Sequence, residues 1–158
     1  MDDLTKTALW IIMDPWYPTP YKWDLDQYPN IDELNEVVLN RIVDYIPNLN
    51  HVCISCPLTI MEDDKVKQVT PHPKVSHLYN LENSIFKLYF YMKKHNLKSI
   101  VYCGFHYGRC ILDKDDGAMN TTKHYDVWVK KDFCGLYPED DWESTDDLTL
   151  KYAKIYDR

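Results

Sequence analysis

The chain has 158 residues, enough for one domain (1–158) with a buried core, and 45% of them are hydrophobic, which excludes a disordered chain. A net charge of −7 and a pI near 5.3 argue against a nucleic-acid partner. The odd number of cysteines, five, points to reduced thiols in a cytoplasmic protein rather than to a disulfide framework.

The first predicted element is a strand over Ala8–Met13, a continuous apolar run ended by Asp14-Pro15. Six apolar residues are too few for a signal peptide or a membrane helix, so a soluble chain without a membrane partner is expected. Residues 15–29 hold four prolines and several aromatics and read as a loop. Asn30 then opens a predicted helix, with Glu33 three residues on as a variant capping box. Its apolar positions are Ile31, Leu34, Val37, Val38, Ile42, Tyr45 and Ile46, and Pro47 stops it.

Residues 51–56 form a second predicted strand, and residues 66–69 carry a weak strand signal. A helix capped by Asn80 or Asn83 follows, with Leu81, Ile85, Leu88, Tyr89 and Met92 on one face and Lys93, Lys94 and His95 in its last turn. Residues 99–103 make a third strand with Gly104 at its carboxyl end. A short helix over 115–123, a strand over 125–129, a loop over 132–141 and a final helix capped by Thr145 complete the series. That last helix places Leu148, Tyr152, Ile155 and Tyr156 on one face. Alternating strands and helices predict a three-layer α/β/α fold with a mostly parallel sheet. Ligands in such folds bind beyond the carboxyl ends of the strands, where Asp14, Cys53, Cys56 and the segment from Cys103 to Cys110 fall.

The segment Cys103-Gly104-Phe105-His106-Tyr107-Gly108-Arg109-Cys110 is the strongest candidate for chemistry. A strand ends at glycine, a tight turn follows, and Cys110 begins a new element whose free N–H groups lower a thiol pKa and hold an oxyanion. Arg109 and His106 add positive charge on this reading. The bland alternative is a small buried cysteine. Cys53-Ile54-Ser55-Cys56 is a CxxC, but Pro57 denies it the helix of a redox motif and nothing completes a zinc site, so structural placement is the better reading.

These residues resemble the isochorismatase-like cysteine hydrolases. There a strand ends in glycine and the nucleophilic cysteine lies six residues later, before two apolar residues; here these are Gly104, Cys110 and Ile111-Leu112. Gly117, Met119, Tyr125-Asp126-Val127 and Asp132 resemble the stretch that follows, and Thr7 to Asp14 resembles the family's first strand, which ends in a catalytic aspartate. The resemblance implies a Cys-Asp-Lys site acting on a small-molecule amide or related compound, without a cofactor, in a homo-oligomer. Cys110 would be the nucleophile, Asp14 the base and Lys74 the third member, with Lys67 as its alternative. The resemblance also implies a cis peptide at Phe105–His106, an oxyanion site built from its backbone and the Cys110 N–H, and a pocket involving Phe105, His106, Tyr107 and Trp16. The chain departs from the pattern in three places: Asp14 falls one residue late, Tyr107 replaces Thr or Asn, and the lysine's surroundings do not match. These departures keep open a second reading, a non-catalytic binding or regulatory relative. The nicotinamidase branch carries an Asp-x-His metal motif after its second strand, where this chain has Ser55-Cys56-Pro57-Leu58-Thr59, so no metal is expected.

Overall fold

The computed structural model describes residues 3–157. In chain order the elements are α1 (Leu4–Thr7), β1 (Ala8–Met13), α2 (Lys22–Gln27), α3 (Ile31–Tyr45), β2 (His51–Ser55), β3 (Thr59–Glu62), β4 (Lys65–Gln68) and α4 (Ile85–Lys94). They continue with β5 (Ser99–Phe105), α5 (Cys110–Asp113), α6 (Ala118–Thr121), β6 (Asp126–Gly135), α7 (Trp142–Thr149) and β7 (Lys154–Ile155).

Five strands form one sheet in the order β2-β1-β5-β6-β7, and every pairing in it is parallel. All six residues of β1 are buried, as a strand needs to be between parallel neighbours with both faces covered. Side chains alternate across it. Leu9, Ile11 and Met13 join Leu88 and Met92 of α4 in one core. Ile12 meets Leu39 and Ile42 of α3, with Phe105, in the core on the opposite face. The chain is therefore a mostly parallel α/β sandwich, as its sequence pattern predicts.

Several boundaries differ from prediction for local reasons. Ser84, rather than Asn80 or Asn83, caps α4 by accepting from the Lys87 N–H at 3.3 Å. Asn30 precedes α3 without a side-chain cap, and Leu34 and Val37 face solvent. The weak signal at 66–69 belongs to an antiparallel hairpin of β3 and β4 outside the main sheet. Strand β6 continues to Gly135 through a register shift against β5, so the first four residues of the predicted loop 132–141 are strand. Asp141 rather than Thr145 caps α7, and Ile155 lies in β7 rather than on a helix. Residues 22–27, inside the proline-rich loop, form α2.

Candidate active site

The site lies at the carboxyl ends of β1, β2 and β5. Strand β1 ends at Met13, paired with Ser55 of β2 and Gly104 of β5. Asp14 then leaves the strand with φ 47°, its N–H donating to the Ser55 carbonyl at 2.7 Å, and is fully buried. Aspartate tolerates this left-handed conformation better than most residues.

On the neighbouring strand the chain turns sharply after Gly104, which has φ 98°. A Cβ at this position would lie 2.6 Å from the Met13 carbonyl oxygen, so both the torsion and the close approach to β1 require glycine. The Phe105–His106 peptide is cis. The Tyr107 N–H donates to the Gly135 carbonyl at 2.7 Å, and the Arg109 N–H donates to the His106 carbonyl at 3.1 Å. Cys110 starts α5, and the Lys114 N–H closes that single turn on the Cys110 carbonyl at 3.2 Å. Among the described residues neither the His106 nor the Cys110 N–H has an acceptor.

A spacing of four puts Cys110 and Lys114 on one face of the turn. The Lys114 Nζ lies 3.7 Å from Asp14 Oδ2, and the Cys110 thiol interacts with the same carboxyl. Asp14 Oδ1 accepts from the Asn83 amide at 3.3 Å. Burial pushes the Asp14 carboxyl up to about 7 against the opposing pull of Lys114, Cys110 and Asn83. Burial, then the Asp14 charge, also raises the Cys110 thiol well above its ordinary value, Lys114 opposing. The lowered thiol pKa expected from free N–H groups is thus overridden by desolvation. Burial opposes charge on Lys114, but Asp14 and Cys110 more than offset this and hold its pKa above 10.5. Lys114 therefore supplies the positive charge of the site.

Two aromatic side chains complete the surroundings. Tyr21 and Tyr137 both lie near Cys110, and the Tyr137 hydroxyl donates to Asp24 Oδ2 of α2 at 3.1 Å. Cys110 keeps partial exposure, whereas Cys53, Cys56, Cys103 and Cys134 are buried; all five are free thiols.

The residues expected at the site are distributed unevenly. Cys110 and Asp14 come together. Lys74 does not join them: its Nζ bonds Asn40 Oδ1 at 2.6 Å and Glu36 Oε1 at 3.2 Å, on the surface beside α3. Lys67 pairs with Glu62 in the hairpin. Each has a local polar partner, and Lys114 takes the position beside Asp14. His106 is buried and stacked on Tyr137 at 4.0 Å, with Nε2 against Asn35 Oδ1 at 3.2 Å. Burial, then the Arg109 charge, lowers its pKa to about 3, so it is neutral at neutral pH. Arg109 is engaged by Glu139 and Asp140. The expectation of positive charge is corrected for His106, while the Arg109 charge is paired with Glu139 and Asp140. Tyr107 lies in the α4-side core and points its hydroxyl at Asp146 Oδ1 of α7, at 2.7 Å, and Trp16 and Phe105 pack in the α3-side core. Lys114 and Asn83, which both contact Asp14, were not among the site residues expected, nor were Ser55, which accepts from the same Asn83 amide, and Asp116, which accepts from Ser55. For Lys114 the Cys110-to-Lys114 spacing was the available signal; the others come together only through the fold.

No protein-family model and no curated protein matches the chain. Solved structures match throughout its length. An isochorismatase-like hydrolase from Alkaliphilus metalliredigens aligns with a TM-score of 0.66 at 12% identity, over 96% of this chain and 93% of that one. The nicotinamidase of Staphylococcus aureus aligns at 0.59 and 10% identity, over 99% of both chains. The YcaC protein of Escherichia coli, described as an octameric hydrolase of unknown specificity, aligns at 0.54 and 14% identity, over 98% of this chain and 76% of that one. At these identities the likeness defines the architecture: the chain has the isochorismatase-like α/β fold.

Proposed function

We propose that the chain is a cysteine-dependent hydrolase of a small amide or related compound, with Cys110 as nucleophile, Asp14 as base and Lys114 as the third member. The carrying observation is the convergence of thiol, carboxyl and ammonium at the ends of two adjacent parallel strands. Asp14 as carboxylate takes the thiol proton while the sulfur bonds to the substrate carbonyl carbon. The carbonyl oxygen takes the electron pair and is held by the His106 and Cys110 N–H groups. When the C–N bond breaks, the proton on Asp14 passes to the leaving amine. Water then adds to the thioester, gives a proton back through Asp14, and releases the acid with Cys110 restored as a thiol. The Lys114 ammonium keeps the carboxylate in place and offsets the charge that develops on sulfur and oxygen.

A panel of small amides and carbamates tests this reading. Wild type is expected to turn over at least one of them, and Cys110→Ala to lose that turnover. Equal rates in the two proteins contradict the assignment. Following the octameric YcaC, we also propose that the chain self-associates. Sedimentation velocity is expected to show a species larger than the 18.9 kDa chain, and a lone monomer at high concentration contradicts it.

The reading as a non-catalytic binding relative draws on one observation. A cavity of about 750 Å³ is lined by residues of α3, by the end of β6 and by Tyr137, Asp140 and Trp142, but not by Cys110 or Asp14. Retention of a bound metabolite by Cys110→Ala with no turnover by wild type would favour it.

A further inference from the structure

Behind Asp14 lies a second carboxyl that the proposed chemistry does not use. Asp116, in the turn between α5 and α6, is fully buried. Its Oδ2 accepts from the Ser55 hydroxyl at the end of β2. Ser55 has one proton, and with that proton committed to Asp116 its oxygen accepts from the Asn83 N–H at 2.9 Å and the Asn83 side-chain amide at 3.0 Å. The same amide donates to Asp14 Oδ1 at 3.3 Å. Asp14 as carboxylate only accepts, so the amide nitrogen, and not its oxygen, has to face both oxygens. Donation therefore runs in one sense from Asn83, to Asp14 on one side and through Ser55 to Asp116 on the other.

We infer that Asp116, Ser55 and Asn83 form a positioning chain that orients Asp14 and governs its ionisation. This rests on the reading of Asp14 as the base. Each member comes from a different element, so the chain ties the end of β2, the loop before α4 and the turn after α5 to one carboxyl. Asn83 has φ 56°, a conformation that aims its amide inward from the loop and that asparagine adopts readily. The turn that carries Asp116 also carries Lys114, so one segment delivers both a negative and a positive neighbour to Asp14.

The groups facing Asp14 are Lys114 and Cys110 from α5 and its end, Asn83, Asp116, Tyr21 from the proline-rich loop, and Cys56 beyond β2. Those facing Asp116 are Ser55, Asp115, Lys114 and Tyr102 of β5, whose hydroxyl donates to the Asp116 carbonyl at 2.5 Å. Burial raises the Asp116 carboxyl to about 6, as it raises Asp14. The Asp116 charge resists ionisation of Asp14, while the Asn83 bond assists it.

The two influences have opposite signs, which gives the test. The rate of Cys110 alkylation by iodoacetamide is followed from pH 5 to 9 in wild type, Asp116→Asn, Asn83→Gly and Asp14→Asn, each checked for folding by circular dichroism. Asp116→Asn is expected to move the midpoint of the acid limb down by roughly half a pH unit, and Asn83→Gly to move it up by about as much. Glycine suits the Asn83 torsion, so if Asp116→Asn does not fold, Asn83→Gly decides alone. Midpoints that coincide with wild type, or that move the same way in both variants, overturn the positioning chain. Asp14→Asn separates the two levels: loss of the acid limb keeps Asp14 as the base whatever the other variants do, and its retention removes the base itself.

Discussion

At Cys110 and Asp14 the central question is where one proton resides. Burial raises both groups, so the resting pair at neutral pH is a thiol beside a carboxyl that titrates at about 7. Catalysis needs Asp14 as carboxylate, so kcat/KM is expected to rise with pH through about 7 and then level off. Asp14→Asn should lose this limb and roughly 10²–10⁴-fold in rate. Lys114 acts in the other direction, favouring the charged carboxylate. Lys114→Met should therefore lower the rate and move the limb to higher pH, while Lys74→Met, whose ammonium serves Glu36 and Asn40, should leave both unchanged. Equal effects of the two lysine substitutions in a pH–rate series would remove Lys114 from the site.

Among the elements, the junction of β1 and β5 carries the site. Gly104→Ala would place a Cβ within 2.6 Å of the Met13 carbonyl oxygen at φ 98° and should destabilise the protein by about 2–4 kcal/mol, read as a lower denaturant midpoint. A midpoint equal to that of wild type would mean that the strands part without cost. This junction was legible in the sequence because apolar β1, the apolar run from Ser99 and the glycine after Cys103 are local signals. Cys110 and Asp14 came forward as candidates through the family resemblance as much as through their place after strand ends, and the fold brings their side chains together. Lys74 misled because the lysine of the resembled family precedes a helix, whereas here the lysine beside Asp14 comes from the turn that carries Cys110. Asn83, Ser55 and Asp116 lie far apart in sequence and meet only because β2, the loop before α4 and the turn after α5 converge. The extension of β6 to Gly135 was hidden by its charged residues Lys130, Lys131 and Asp132, which suggest a loop until β5 supplies a pairing edge.

For the whole molecule, a buried carboxyl makes stability depend on pH. Asp14 binds its proton more tightly folded, at about 7, than in an unfolded chain near the ordinary 3.8. Its contribution is fully present below the unfolded value and is lost as pH rises from about 4 to 7. Asp116, raised to about 6, adds in the same sense. Wild type minus Asp14→Asn should therefore lose stability between pH 5 and 8, by on the order of 1–4 kcal/mol, in urea titrations at several pH values. A difference that stays flat across this range would mean that Asp14 is held as a carboxylate at all these values. No helix among the described residues is long and apolar enough to cross a membrane.

The most direct measurement is competitive alkylation of all five cysteines at pH 7.5, read by peptide mass mapping in wild type and Asp14→Asn. Cys110, the partly exposed thiol, should be modified first in wild type, and its rate should fall at least tenfold without the Asp14 carboxylate. Preferential labelling of another cysteine, or a Cys110 rate indifferent to residue 14, would contradict the account.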